Sequence, residues 1–256
     1  MGGKLRIAVA GATGRLGSPL VSVLEGRGHD VVAISRSRGV DVITGDGLDA
    51  ALTGVEVIVD TTSGESPDRK AATEFFEQET HNLHAAGQRA GVRGIVVVSI
   101  IGIDAFTGGY NAAKLAHERA MLAGPLPVQI LRAAQFHELV GQFVEWGTHG
   151  EVSSVPEMRV QLVAAKSVAE VLADLATGVE LPVSGVSVPE VAGPRVESFV
   201  DAARLLVARR GGPPTVEGVT DQADPDRDLY EGGALLPGPG AITVGPTFEA
   251  WLDEAA

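Results

Sequence analysis

The sequence predicts an α/β fold: a doubly wound parallel sheet with a small region appended towards the C-terminus. Three observations predict it. Leu5, Ile7, Ala8, Val9 and Ala10 form an apolar run ending at Gly11, after which Leu16, Leu20, Val21 and Leu24 recur at helical spacing. Short Val- and Ile-rich runs then alternate with longer amphipathic stretches, the order expected when crossover helices join parallel strands. The run from Gly94 to Val98 is apolar at every position after its glycine, as a strand covered on both faces must be.

The first turn, Gly11-Ala-Thr-Gly14-Arg-Leu-Gly17, places a glycine at every third position. Gly11 lets the chain reverse tightly off the strand, Gly14 lets backbone approach a pyrophosphate, and Gly17 lets the helix lie close to the sheet. The free N–H groups of the first helical turn then face the phosphates, where the helix dipole favours negative charge. Gly11, Thr13, Gly14, Arg15, Leu16 and Gly17 are therefore candidate dinucleotide-binding residues. The alternative is an ordinary glycine-rich turn, but here the expected strand and helix flank the motif.

The second strand, Val31 to Ile34, ends in Ser35-Arg36-Ser37-Arg38, with no Asp or Glu between Val31 and Gly39. An acidic residue at this strand end would accept bonds from the 2′-hydroxyl of NAD, whereas an arginine pairs with a 2′-phosphate. NADP(H) is accordingly expected over NAD(H), with Ser35 and Arg36 as the clamp. A short third strand is expected from Val40 to Thr44, closed by Gly45-Asp46-Gly47, with Asp46 either beside the adenine or serving the turn alone. Asp49 to Gly54 reads as a short helix. A fourth strand from Val55 to Val59 runs into Asp60-Thr61-Thr62, which makes Thr61 and Thr62 cofactor-proximal. Ser63 to Arg69 is a polar loop, and a helix follows from Lys70 to Ala90. His81 and His84 share a face of that helix. With no further ligands at metal spacing both read as solvated, and no metal site is expected.

Ser99 closes the apolar strand that begins at Gly94. A glycine-bearing loop from Ile100 to Gly109 leads to a helix running from Tyr110 to about Met121. Tyr110 and Lys114 lie one helical turn apart on a shared face. An ammonium beside a phenol stabilises the phenolate and brings the tyrosine towards the working range of a general acid, while a serine hydroxyl can hold a carbonyl oxygen. Tyrosine and lysine fall at this spacing by chance, but the chain has only 2 tyrosines and this one follows a strand-end serine and a flexible loop.

Beyond this point Pro127 to Leu131 reads as a strand. Phe136, Leu139, Val140, Phe143 and Trp146 then recur at helical spacing as far as Gly147. That stripe is either plain core or part of an apolar substrate pocket in which Gln135, Phe136 and His137 face the ligand. Val160 to Val163 is expected as a strand, and a helix runs from an N-cap at Ser167 to Leu175. Val186 to Val191 is a returning strand and Arg195 to Arg209 another helix. Asp221 to Gly240 reads as a mobile loop or lid, and Phe248 to Leu252 as a tail docking through Phe248 and Trp251. Residues 1–135 thus form the dinucleotide-binding core, and residues 136–256 a substrate-binding cap that partly completes its sheet.

A chain of 256 residues with 45% hydrophobic content buries one large core. Its formal charge of −13 speaks against nucleic-acid or anionic-membrane partners, and with 0 cysteines there are no disulfides or thiolate chemistry. No signal-peptide pattern precedes the first strand, and the longest apolar run, Ile95 to Ile103, is too short to cross a bilayer. The expected setting is cytoplasmic, with a small-molecule substrate and an open oligomeric state.

Taken together, the strand with GATGRLG, the arginine-bearing second strand end and the set Ser99, Tyr110 and Lys114 resemble the short-chain dehydrogenase/reductase superfamily. The glycine spacing and the run LRAAQFHELVGQF resemble its atypical, NmrA-like branch. The phrases VSVPEVAGP and GPTFEAWL are similar to small actinobacterial NAD(P)-binding members of that branch. The resemblance implies a Rossmann fold with the Thr13–Gly17 backbone under the pyrophosphate. It also implies Tyr110 as proton donor, Lys114 as its support at the nicotinamide ribose, and Ser99 as the group that orients the carbonyl. The expected activity is NADP(H)-dependent reduction of a small, fairly apolar carbonyl, enone or quinone. The alternative is a non-catalytic NADP(H)-binding redox sensor, because many NmrA-like relatives have lost the tyrosine. A nucleotide-sugar epimerase or dehydratase ranks last, since it needs a larger polar cap. The Ser99-to-Tyr110 interval is slightly tighter than in ordinary members.

Overall fold

The computed structural model of the protein describes residues 3–64, 66–178 and 188–254. Strands and helices alternate through the first half: β1 (Arg6–Ala10), α1 (Gly17–Gly26), β2 (Asp30–Ile34), α2 (Leu48–Ala51), β3 (Val57–Asp60), α3 (Arg69–Ala90), β4 (Gly94–Ile100), α4 (Gly109–Ala123) and β5 (Val128–Ala133). The second half is built from α5 (His137–Trp146), β6 (Thr148–His149), β7 (Val152–Pro156), β8 (Arg159–Val160), α6 (Ala165–Thr177) and β9 (Glu190–Ala192). It ends with β10 (Glu197–Ser198), α7 (Phe199–Arg210), β11 (Thr215–Val219), α8 (Arg227–Gly232), β12 (Ile242–Thr243) and α9 (Phe248–Glu254).

The sequence encodes these boundaries locally. Asp68 caps α3 by accepting from the Ala71 N–H, and Gly91 ends that helix in the left-handed region that a side chain disfavours. Every β4 residue from Gly94 to Ser99 is buried, which accounts for the unbroken valine run. Burying each such aliphatic side chain contributes roughly 1.5–3 kcal/mol.

The principal sheet has seven strands in the order β12-β9-β5-β4-β3-β1-β2. β1 pairs in parallel with both β2 and β3, and β3 pairs in parallel with β4. The chain therefore leaves β1 towards one edge, returns from β2, and continues on the other side. The strand order reverses at the carboxyl ends of β1 and β3, and in an open α/β sheet that switch point is where ligands bind. Gly11 follows β1 there, and Thr61 and Thr62 follow β3.

Several sequence expectations are corrected. Val40 to Thr44 is a turn, not a strand: Asp41 accepts from the Ile43 N–H, and the Asn82 amide donates to the carbonyls of Val42 and Ile43. α6 begins at Ala165 rather than after a Ser167 cap, because the Glu138 carboxylate accepts from the Ala165 N–H. The expected strand at 160–163 is the short β8, and the helix expected from Arg195 starts at Phe199 behind a Ser198 cap. Residues 221–240 contain α8 and are pinned by Asp226, whose carboxylate accepts from the Thr107 N–H and hydroxyl and from the Gly108 N–H at 2.6–2.8 Å. Of the expected strand at 186–191, positions 186 and 187 lie outside the described residues and Glu190 and Val191 belong to β9.

The described residues fall into two compact units whose segments interleave along the chain. One draws on Met1–Ser99, Gly109–Arg132 and Val168–Pro189, the other on Ile100–Gly108, Ala133–Ser167 and Glu190–Ala256. Among the described residues no helix is long and apolar enough to cross a membrane.

Candidate active site

The first unit contains the glycine turn. Gly11 has φ +75°, and a Cβ there would lie 3.0 Å from the carbonyl carbon of Thr61. A Cβ on Gly17 would sit 2.1 Å from the Gly11 carbonyl oxygen, a distance no side chain tolerates. The first and third glycines are thus required by the close fit of turn, helix and neighbouring strand end. Thr61 fastens that neighbour: its N–H and its hydroxyl both donate to the Ala10 carbonyl, the hydroxyl at 2.7 Å. Thr13, Gly14 and Arg15 remain exposed, while Ala12, Leu16 and Gly17 are buried beneath them. α1 starts without a side-chain cap and without an acidic residue in its first turn. Its positive end is left uncompensated, a setting that fits the diphosphate of a dinucleotide.

β2 ends in buried Ile34, and Ser35 is extended before a single helical turn over Arg36–Arg38 that places Arg36 on the surface. The Ser35 and Ser37 hydroxyls are 3.0 Å apart. Asp46 is exposed in the turn before α2, where its N–H donates to the Thr44 hydroxyl.

Tyr110 is the second residue of α4 and is half-buried. Its phenol oxygen lies 3.0 Å from the hydroxyl of Ser63, in the loop after β3, and its ring meets Phe76 of α3 edge-on at 5.8 Å. Burial pushes the phenol above its ordinary pKa; Ser63 and the Gly64 backbone pull it down, while Glu79 and Asp60 push it further up. Spacing along α4 places Lys114 where its ammonium would be expected to lower this phenol. The structure instead engages that ammonium elsewhere. Lys114 is 3% exposed, donates to His117 Nδ1 at 2.9 Å and lies 4.6 Å above the Phe76 ring. Burial pulls its pKa down, opposed by the carboxylates of Asp60, Glu79 and Glu118. Ser99 is likewise 3% exposed, and its hydroxyl has no hydrogen-bond partner among the described residues, so it is bonded to neither Tyr110 nor Lys114.

Lys114 belongs to a buried cluster that spacing along the chain does not announce. Asp60 ends β3, Glu79 lies on α3 and His117 on α4, all at most 1% exposed. Asp60 Oδ1 accepts from the Thr62 N–H, and Glu79 accepts from the Thr62 hydroxyl. Burial raises the Glu79 pKa well above the ordinary carboxylate range, and the neighbouring Asp60 raises it further. Glu79 thus favours its protonated form more than an ordinary carboxylic acid does. Sequence reasoning passed over Asp60, Glu79, His117 and Ser63. A signal existed for Glu79, which sits with Ala72, Phe76 and Leu83 on the buried face of α3. A second signal was that His117 follows Lys114 by one turn.

One ligand atom from each of Asp60, Glu79 and His117 lies within 4.8 Å of the others, a spacing that suits a metal ion. The tautomer argues otherwise. Because Lys114 donates to Nδ1, the proton of the neutral ring sits on Nε2, which faces Asp60 Oδ2 at 3.5 Å and has no lone pair to offer. Burial holds the His117 pKa well below the usual imidazole range, so the neutral ring is the relevant form. The solvated reading of the other histidine pair holds for His81 and fails for His84. His84 is buried, bonded to the Met121 carbonyl and the Leu126 N–H, with its pKa lowered by burial.

Within the second unit Gln135 and Phe136 are partly buried and His137 is fully buried at the start of α5. The His137 ring packs 5.4 Å from Phe248 and 5.3 Å from Trp251 of α9, so the tail docks through the two expected aromatics. Burial lowers the His137 pKa to about 4, which makes it neutral near pH 7. Of the apolar stripe, Val140 is core, as is its neighbour Val144, whereas Trp146 is exposed.

Comparison with known proteins shows the family and the fold. A family model described as NAD(P)H-binding matches residues 11–178. A 3-diazoavenalumate denitrifying reductase of Streptomyces sp. is 37% identical over 38% of this chain and 38% of its own length. The photosystem II assembly factor Ycf39 of Synechocystis sp. is 26% identical over 71% of this chain and 63% of its own. The chain thus spans less than two thirds of the length of either curated relative. The Citrobacter sp. triphenylmethane reductase, solved with NADP(H), superposes with a TM-score of 0.67 at 16% identity, covering 98% of this chain and 100% of that one. The likeness bears out the expected fold.

Proposed function

We propose that this chain, which belongs to the NAD(P)H-binding family, is an NADP(H)-dependent oxidoreductase that reduces a small, fairly apolar carbonyl, enone or quinone. The observation that carries the reading is that one compact unit holds both an uncapped, glycine-lined helix start and a half-buried phenol with a hydroxyl partner. Gly11 and the Thr13–Gly17 backbone, with Arg15 and Leu16, would hold the diphosphate. Ser35 and Arg36 would grip the 2′-phosphate, Asp46 would sit by the adenine, and Thr61 and Thr62 would lie beside the cofactor. The bound dinucleotide supplies a hydride.

Tyr110 then gives its phenol proton to the substrate oxygen, which Ser99 holds through a hydroxyl that has no competing partner among the described residues. Lys114, one helical turn away on α4, would contact the nicotinamide ribose. Gln135, Phe136 and His137 are the substrate-side candidates, His137 acting from a buried, neutral position. Tyr110→Phe should reduce turnover of a carbonyl substrate at least a hundredfold, the scale of general acid catalysis, with NADPH affinity unchanged. Surviving turnover in a competent assay removes Tyr110 as the acid.

One observation favours a second reading, a binding protein that senses NADP(H) without consuming it. The Lys114 ammonium is committed to His117 and the acidic cluster. That reading predicts NADPH binding with no oxidation across a panel of aldehydes, enones and quinones.

A further inference from the structure

The loop after β3 brings a group to the phenol that no expectation included. Ser63 Oγ lies 3.0 Å from Tyr110 Oη, and Gly64 follows it against the same ring: a Cβ there would be 3.8 Å from Tyr110 Cε2. Ser63 itself is exposed, so its hydroxyl is held to the phenol without being part of the core. Phe76 contacts both the tyrosine and the lysine, meeting the Tyr110 ring edge-on and carrying Lys114 Nζ at 4.6 Å from its centroid. The charged and titratable groups around the phenol are Asp60 from β3, Glu79 from α3, and Lys114 and His117 from α4. Asp60 and Glu79 work against ionisation of the phenol, and Lys114 is turned to His117.

We propose that Ser63 is a further residue of the proposed reaction, donating its hydroxyl hydrogen bond to the Tyr110 oxygen as that oxygen gives up its proton. The inference rests on Tyr110 being the acid. In the step, the Tyr110 O–H bond breaks and its proton goes to the substrate oxygen, while the hydride forms the new C–H bond. The Ser63 O–H bond stays intact throughout and turns to face the phenolate. A charge-assisted hydrogen bond is about twice as strong as a neutral one, so the interaction strengthens along the reaction coordinate, as a transition-state contact must. The Gly64 backbone adds to the same support. In this chain the β3 loop thereby supplies the stabilisation that the ammonium, drawn into the acidic cluster, does not.

The test reads the phenol directly. Tyr230→Phe leaves Tyr110 as the sole tyrosine, because the chain has 2. Biosynthetic incorporation of a fluorinated tyrosine, whose phenol ionises closer to neutral pH, then allows its ionisation to be followed by fluorine NMR in the full chain. Ser63→Ala should raise the ionisation midpoint by about one pH unit, the scale of one lost hydrogen bond, and Ser63→Thr should restore it. Because Ser63 is exposed, both variants should retain the parent melting temperature. An unmoved midpoint in Ser63→Ala, or equal shifts in the alanine and threonine variants, overturns the proposal. Neither outcome depends on turnover, so a failure here is distinct from a failure of Tyr110→Phe to abolish activity.

Discussion

The glycine turn and the tyrosine helix belong to the same compact unit, yet the sequence describes one far better than the other. At the turn, function and backbone geometry make the same demand. Gly11 needs its positive φ, and Gly17 must lie against the Gly11 carbonyl, so three glycines at fixed spacing identify both the fold and the ligand. At the helix the demand is on side chains that meet across elements. Tyr110 finds Ser63 from a loop 47 positions earlier, and Lys114 is surrounded by charges from β3 and α3. Where chemistry is written into local backbone, spacing reveals it; where it arises from packing, spacing names the residues and misses their partners.

The contrast breaks most readily at the turn. Gly17→Val should abolish NADPH binding in a fluorescence titration and lower the melting temperature. Its Cβ would collide with backbone that cannot move aside, and overpacking alone costs roughly 1–3 kcal/mol. Wild-type affinity in that variant would mean that the turn is not where the diphosphate lies. A smaller effect is expected at the end of β2. Arg36→Ala should weaken NADPH by about 10–100-fold, the worth of hydrogen bonds to a charged phosphate, with little change for NADH. Equal losses would place the 2′-phosphate elsewhere.

How much the sequence disclosed follows from the same physics. The alternation of strands and helices, the glycine turn and the buried β4 run were legible, because periodicity and unbroken apolar runs report what a segment buries. The apolar look of Val40 to Thr44 misled, since Asp41 and Asn82 satisfy that backbone from their side chains and no strand partner is needed. His84 misled in the opposite sense. A polar residue on a helix reads as solvated until a neighbouring carbonyl and N–H are found to satisfy both ring nitrogens. The cluster of Asp60, Glu79, Lys114 and His117 was missed because it assembles only when β3, α3 and α4 pack together, and the spacing within each element shows one or two of its members at most.

The smallest predicted effect sharpens this second half of the comparison. Glu79 holds its proton more tightly in the folded protein than in the unfolded chain, chiefly through burial. The stability it contributes is therefore fully present below its ordinary value of 4.5 and is lost as pH rises through the raised one. Glu79→Gln keeps the shape and the hydrogen-bonding capacity of the protonated acid. It should raise the melting temperature by a few degrees at pH 7, leave it unchanged at pH 4, and flatten the profile between. A fall at pH 7 would mean that the ionised carboxylate is needed, as a counter-charge to Lys114.

A dinucleotide lying across the start of α1, with its 2′-phosphate at Arg36, is the proposal on which the others depend. Calorimetric titration of the purified chain with NADPH and NADH tests this most directly. One NADPH site per chain is expected, at least tenfold tighter than that for NADH. No heat of binding with either dinucleotide, or equal affinity for the two, would contradict it.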